Sequence, residues 1–266
     1  LFVKALLPSG AILCTNTYRI DVAVAGNAKH DTGYKNILTD ERVSDSLLIE
    51  SIGSHFDQKV TFGVADGVGG WGKIAGNYSS TLVHNIAASS AESPLEMIRD
   101  GYHKTDKVAS TTICVATIDQ GHLIWANLGD SGLRVLRNKQ FQVKTKEQQH
   151  IFNFPYQLGK RSMDCPDDCD RGVYRLEKRD VMIMGTDGLF DNLDGSELIS
   201  LINPDHSAKE IIDRLAKKAI ENSRNLNKTS PFSEKSMHAL GIQSSDYKSY
   251  QGGKQDDISI VVAVVK

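Results

Sequence analysis

The pattern that most limits how this chain can fold occurs three times: a run of β-branched and apolar residues that abuts an aspartate. In the first, Val60-Thr-Phe-Gly-Val-Ala leads to Asp66, and four of the next six residues are glycine, so the backbone can turn sharply and approach a ligand closely. In the second, Val181-Met-Ile-Met-Gly-Thr leads into Asp187-Gly188 and on to Leu-Phe-Asp191. In the third, Asp256-Asp257 stands directly before Ile258-Ser-Ile-Val-Val-Ala-Val-Val265. A single Asp-Gly pair is ordinarily a turn between strands. Carboxylates at the ends of three buried strands are a different matter, because like charges repel and partial burial disfavours ionisation. A bound divalent cation removes that cost. Hard oxygen donors with no His or Cys cluster suit Mg²⁺ or Mn²⁺ rather than zinc.

Periodicity places the remaining elements around these runs. Residues 18–25 alternate with period two, as a half-buried strand does, and a polar loop is expected over 26–43. Strand character resumes over 46–52, with Asp45 at its head. Leu82, Val83, Ile86 and Ala87 recur at helical spacing within 76–93, and Pro94 opens a second helix to about residue 102. Four short strands over 110–118, 122–127, 132–137 and 140–144 read as an antiparallel meander, with Asp130 in one of its turns. From 147 to 171 the pattern is irregular, as in a long surface excursion of the kind that carries substrate contacts. Strands over 173–176 and 181–185, helices over 197–202 and 207–222, a short helix over 230–240 and the last strand complete the chain. This order predicts an α+β fold, with two mainly antiparallel sheets packed face to face and helices outside.

With 266 residues, 40% hydrophobic content, no linker and no repeat, the chain is expected to form a single domain over residues 1–266. The net charge of −2 is spread along the chain, which argues against a dedicated nucleic-acid or anionic-membrane surface. Four cysteines are too few for a disulfide framework, and the Cys165-Pro-Asp-Asp-Cys169 loop has no second cysteine or histidine pair to complete a zinc site. No cysteine is expected to head the arginine-capped phosphate loop of a cysteine phosphatase. Gly67 to Lys73 superficially offers a nucleotide loop but lacks the Gly-Lys-Ser/Thr ending. No stretch approaches the ~20 apolar residues of a membrane span. The first residue is Leu1 rather than Met, which by itself leaves an upstream targeting segment undecided.

Ala65-Asp66-Gly67-Val68-Gly69-Gly70, Asn127-Leu128-Gly129-Asp130-Ser131-Gly132, Thr186-Asp187-Gly188-Leu189-Phe190-Asp191 and Asp256-Asp257-Ile258-Ser259, in this order, resemble the signature segments of the metal-dependent type 2C protein phosphatases. Glu147-Gln148-Gln149-His150, Ser230-Pro231-Phe232 and Gly252-Gly253-Lys254 resemble the mitochondrial branch of fungi and animals. The resemblance implies a four-layer α-β-β-α sandwich and hydrolysis of phosphoserine and phosphothreonine by a water activated between two Mg²⁺ or Mn²⁺ ions. By position, it implies that Asp66 bridges both metals, that Gly67 offers its carbonyl, and that Asp187 and Asp256 complete the set around the first metal. These three aspartates are the candidate catalytic residues. Asp130, with Asp187, resembles the family's site for a third, weaker metal. Asp45 is the candidate for the second metal, with Ser44 where the family has Glu. Arg42 is the candidate phosphate-binding residue, and Val68 stands where many members have a His.

The branch further implies phosphoprotein substrates, a mitochondrial matrix location and a link to regulation of coenzyme Q biosynthesis; a monomer is the expectation for oligomeric state. Ser44 and Val68 keep a second reading open, that of a catalytically impaired pseudophosphatase or binding scaffold with the same fold.

Overall fold

The computed structural model describes residues 2–6, 19–27, 48–55, 59–242 and 250–266, with backbone only for 2–6 and 48–55. The first half of the chain runs through β1 (Phe2–Leu6), β2 (Arg19–Asn27), β3 (Leu48–His55), β4 (Lys59–Val64), α1 (Lys73–Ala87), α2 (Pro94–Lys104), β5 (Ser110–Thr111), β6 (Ile113–Asp119) and β7 (His122–Leu128). It continues with β8 (Gly132–Arg137), β9 (Gln140–Lys144), β10 (Gln149–Ile151), β11 (Phe154–Pro155), β12 (Leu158–Gly159), β13 (Asp170–Arg175) and β14 (Val181–Gly185). The last part holds α3 (Asp187–Phe190), α4 (Gly195–Leu201), α5 (Ala208–Ser223), α6 (Pro231–Ala239) and β15 (Ile258–Val265).

Two sheets dominate, ordered β1-β4-β6-β7-β13 and β3-β2-β15-β14-β8-β9, with every neighbouring pair antiparallel. Alternate residues of their central strands face each other across the sandwich. Val60, Phe62 and Val64 of β4 meet Ile20, Val22 and Val24 of β2 and Val261, Ala263 and Val265 of β15 in one buried cluster. The opposite faces are also covered. Ile113 and Val115 of β6 pack with Leu82, Ile86 and Ile98 of α1 and α2, while Ile260, Val262 and Val264 of β15 pack with Ile211, Ile212 and Leu215 of α5. Burial on both faces is why these strands read as continuous apolar runs rather than as alternation. The result is the expected α-β-β-α layering.

The helices begin where the side chains can satisfy free amides. Ser93 accepts from Glu96 N ahead of Pro94, and Asp194, Ser207 and Ser230 each form a reciprocal capping box.

The expected four-strand meander is corrected. β6 and β7 belong to the first sheet and β8 and β9 to the second, so the chain changes sheets at 129–131. Gly129 makes that crossing possible: its φ is +104°, and a Cβ there would lie 2.7 Å from Tyr156 O. The first of the four predicted strands also breaks, between β5 and β6, because Thr112 N turns to donate to Asp66 O at 2.9 Å. Among the described residues, no helix is long and apolar enough to cross a membrane.

Phe62 has no exposed surface and lies between the sheets, whereas Ile74 on α1 is 48% exposed. Phe62→Ala is expected to cost about 3–5 kcal/mol and Ile74→Ala under about 0.5 kcal/mol. Urea unfolding followed by circular dichroism measures both.

Candidate metal centre

The ends of β4, β14 and β15 deliver their aspartates to one edge of the sandwich. Asp66 follows β4, and its carbonyl is fixed by Thr112 N at 2.9 Å and Thr111 Oγ1 at 2.7 Å. Gly67 must be glycine, since a Cβ would stand 2.7 Å from the backbone carbon of Ala75 in α1. Asp187 does not simply end a strand. It opens α3, which puts Asp187 and Asp191 four residues apart on one side of the turn. Gly188 packs against the third segment, where a Cβ would meet Asp257 O at 2.3 Å.

A polar clamp holds the second and third segments together. Asn192 Nδ2 donates to Gly188 O at 2.9 Å and to Lys254 O at 2.8 Å, while its Oδ1 accepts from Lys254 N at 3.0 Å. Thr186 Oγ1 donates to Asp257 O at 3.2 Å and accepts from Ser259 N at 3.1 Å. Every one of these groups is matched to its chemical role, so the loop before β15 has little freedom.

The electrostatics follow from crowding. Burial, then the charges of Asp187 and Asp256, push Asp66 well above the usual carboxylate range. Asp187 is also raised, by burial, against the opposing attraction of Lys254. Asp130, at the crossing between sheets, is pushed up to about 8 by burial and then by Asp187. The structure therefore brings Asp66, Gly67, Asp187, Asp256 and Asp130 to one place. Asp45 and Arg42 lie outside the described residues.

Three residues were not marked as site residues in the sequence. Lys254 Nζ sits among the carboxylates, paired to Asp187, to Asp191 at 3.0 Å and to Asp256 at 3.1 Å. Burial opposes its charge, but Asp187, Asp191 and Asp256 outweigh burial and hold the ammonium well above its ordinary value. Lys235 of α6 links Asp191 at 3.1 Å to Glu147 at 2.7 Å. The i, i+4 spacing of Asp187 and Asp191 was the readable signal; Gly-Gly-Lys before the aspartate pair was the other.

The residues present suit a hard divalent cation in their donor chemistry. They are carboxylates whose ionisation is opposed as they stand, and Asp187 Oδ1 is buried without a hydrogen-bond partner. Among the described residues, no three His, Cys, Asp or Glu side chains meet as a closed metal shell, and Lys254 is the cation that balances them.

The expectation about cysteines needs correction. Cys165 and Cys169 each precede an arginine by six positions, Arg171 and Arg175, which is the spacing of a cysteine-phosphatase loop. Here Cys165 enters a 3₁₀ turn, and both arginines lie on β13 paired to β7 rather than on a cradle. Burial pushes the Cys169 thiol up to about 12, opposite to what a nucleophile needs. His150 stacks on Tyr156 with ring centroids 4.2 Å apart and meets Asp164 at 3.0 Å, a structural arrangement.

No family model matches the chain. It is 32% identical over 233 residues to "Probable protein phosphatase 2C 80" of Arabidopsis thaliana, aligning 80% of this chain and 54% of that one. The chain thus spans about half the length of that relative. It is 30% identical over 289 residues to "Protein phosphatase 2C homolog 7, mitochondrial" of Saccharomyces cerevisiae, with 94% and 82% covered. Among solved structures, that of the photosystem II phosphatase PBCP superposes with a TM-score of 0.72 at 28% identity, over 79% of this chain and 88% of that one. The catalytic domain of the serine/threonine phosphatase PstP, solved with 2 manganese ions, shares the fold at a TM-score of 0.55 and 14% identity, over 94% and 99%.

A raised carboxylate binds its proton more tightly in the folded state, so its stabilising contribution is complete below the unfolded value and is lost as pH rises through the folded value. For Asp130 the window runs from the ordinary 3.8 to about 8. The chelator-treated protein is expected to melt at progressively lower temperature as pH rises from the ordinary 3.8 to about 8. Asp130→Asn should flatten that decline and Lys254→Met should steepen it. Calorimetry across the pH range checks both.

Proposed function

Because the chain belongs to the type 2C protein phosphatases, we propose that it is a metal-dependent protein serine/threonine phosphatase, a monomeric catalytic domain over residues 1–266. The observation that carries this reading is the cluster of Asp66, Asp187 and Asp256, crowded where burial and mutual repulsion oppose ionisation. Asp66, the Gly67 carbonyl, Asp187 and Asp256 would hold two Mg²⁺ or Mn²⁺ ions, with Asp130 available to a third and Asp45 to the second. Such ions, when bound, acidify water and neutralise charge on a phosphoryl group.

The chain's own residues supply position rather than covalent chemistry. Thr111 and Thr112 hold the Asp66 carbonyl, and Asn192 holds the loop that presents Asp256. Val68 has no proton to give a leaving group, so that position supplies no general acid. The Cys114 and Cys169 thiols take no part: both are buried, and burial raises both. For phosphoserine and phosphothreonine, catalysis of this type is mainly positioning and charge stabilisation. A mitochondrial location is supported by the yeast relative's printed name; the matrix, with phosphoproteins there as substrates, rests on family resemblance, and fractionation of the full-length protein checks both. The coenzyme Q link rests on family resemblance alone, and quinone content in a deletion strain tests it.

Lys254 favours a second reading. An ammonium already paired with Asp187, Asp191 and Asp256 balances the cluster without metal, as a non-catalytic scaffold would need. One experiment separates the two. Hydrolysis of an aryl phosphate and of a phosphothreonine peptide should stop with chelator, return with Mn²⁺ and fall by at least about 100-fold in Asp187→Asn, the upper end of what losing even a residue behind a metal ligand costs. No turnover at any Mn²⁺ concentration, with no metal-induced rise in melting temperature, would establish the scaffold.

A further inference from the structure

On the helix-facing side of the second sheet, one position breaks the apolar pattern. Leu133 and Val135 of β8 point into the core between the sheets and Leu136 packs toward the helices, but Arg134 shares the helix-facing side. Its guanidinium is stacked over the Phe190 ring at 4.2 Å, with Phe141 at 5.6 Å. Directly opposite it in the antiparallel register stands Lys144 of β9. Like charges placed directly across a strand pair destabilise a sheet, and a half-buried cation without a counter-charge is costly.

Neither cation has a hydrogen bond or ion pair among the described residues. The carboxylate whose charge acts on both, Glu147, is engaged by Lys235 at 2.7 Å. Burial lowers Arg134 to about 10, and the Arg134 charge, then burial, lowers Lys144. Between them opens a pocket with about 30 Å³ of free space, lined also by Ser131, Thr145 and Phe190 and by two carboxylates, Asp130 and the Lys235-paired Glu147. One water needs roughly 10–15 Å³ on such a measure. The pocket thus has room for two or three oxygens of a tetrahedral oxyanion, whose remaining oxygens would face the open rim.

We propose that Arg134 and Lys144 form an anion subsite for a phosphate group, beside the carboxylate cluster and distinct from it. A planar guanidinium held on an aromatic face presents its N–H edge to such an oxyanion, and Lys144 adds a point charge from the exposed rim. Choosing phosphate over other oxyanions rests on the phosphatase reading; the presence of an anion site does not. Two sources share this chemistry: the inorganic phosphate released by hydrolysis, and a second phosphoryl group on the same substrate.

The test uses the full chain with chelator present, so that binding is read without turnover. Inorganic phosphate is titrated while the melting temperature and heat of binding are followed. Wild type and the control Lys139→Gln should bind alike. Lys144→Gln should bind about tenfold more weakly and Arg134→Gln/Lys144→Gln not measurably, in line with the loss of charge-assisted hydrogen bonds. Phosphate binding in the double variant equal to wild type overturns the proposal. If the double variant does not melt cooperatively, an unchanged affinity in Lys144→Gln, whose side chain lies at the exposed rim, overturns it instead. With Mn²⁺ restored, a KM raised by Lys144→Gln only for a doubly phosphorylated peptide assigns the site to substrate, and weakened inhibition by phosphate alone assigns it to product. Loss of all turnover with phosphate binding intact would sink the phosphatase reading and leave the subsite standing.

Discussion

Carboxylates crowded at one edge of a sandwich are the constraint to which the rest of the structure answers. Three strands from two sheets end there, and each contributes an acid whose charge the others oppose. A fold that only needed a core would place serine or asparagine at such ends. What tolerates the crowding is Lys254, an ammonium drawn into the cluster against its own desolvation. Its position is not left to a flexible side chain, because Asn192 fixes the Lys254 backbone on both its N–H and its C=O. Asn192 is in turn held through its carbonyl by Asn222 of α5 at 2.9 Å, which connects the charge balance at the edge to the outer helix layer.

Close backbone approach is the second requirement, and it falls on a few glycines. At Gly67 the chain leaves β4 against the start of α1, and at Gly188 the first turn of α3 lies on the loop before β15. Both contacts are too short for any Cβ. They let segments distant in sequence meet within one shell, which side chains alone could not achieve without lengthening the gaps between carboxylates. Apolar packing on both faces of each sheet then supplies the rigidity that keeps these ends in register.

Much of this was legible from the residues. The apolar runs ending in aspartate, the capped helices and the four short strands follow from periodicity and turn chemistry, and the structure places them within a few residues of expectation. What was not legible is which sheet a strand joins. β7 and β8 are both short, apolar and antiparallel to their neighbours, and nothing in their pattern tells a hairpin from a crossing; the positive φ of Gly129 decides it. Lys254 escaped notice for a related reason. A lysine two residues before an aspartate usually reaches solvent, and only the tertiary return of β15 beside α3 turns it inward. Asp191 could have been found, since its spacing from Asp187 already implied one side of a helical turn.

Charge placement in this chain follows a common logic in two neighbouring places with opposite sign. At the cluster, acids outnumber what burial permits and a lysine answers them. At β8 and β9, Arg134 and Lys144 face each other with no acid committed to them, because Glu147 is held by Lys235 and Asp191 lies on the far side of that same lysine. Lys235 therefore separates the two regions electrostatically: removing it would free Glu147 to turn toward the cationic pair and leave Asp191 to Lys254 alone. Since Lys235 is carried by α6 and capped in place by Ser230, whose hydroxyl also donates to Gly252 O at 2.6 Å, the helix that sets this separation is anchored to the loop that carries Lys254. Displacing that loop would move both charges together, so the acidic cluster and the basic pocket are mechanically as well as electrostatically joined.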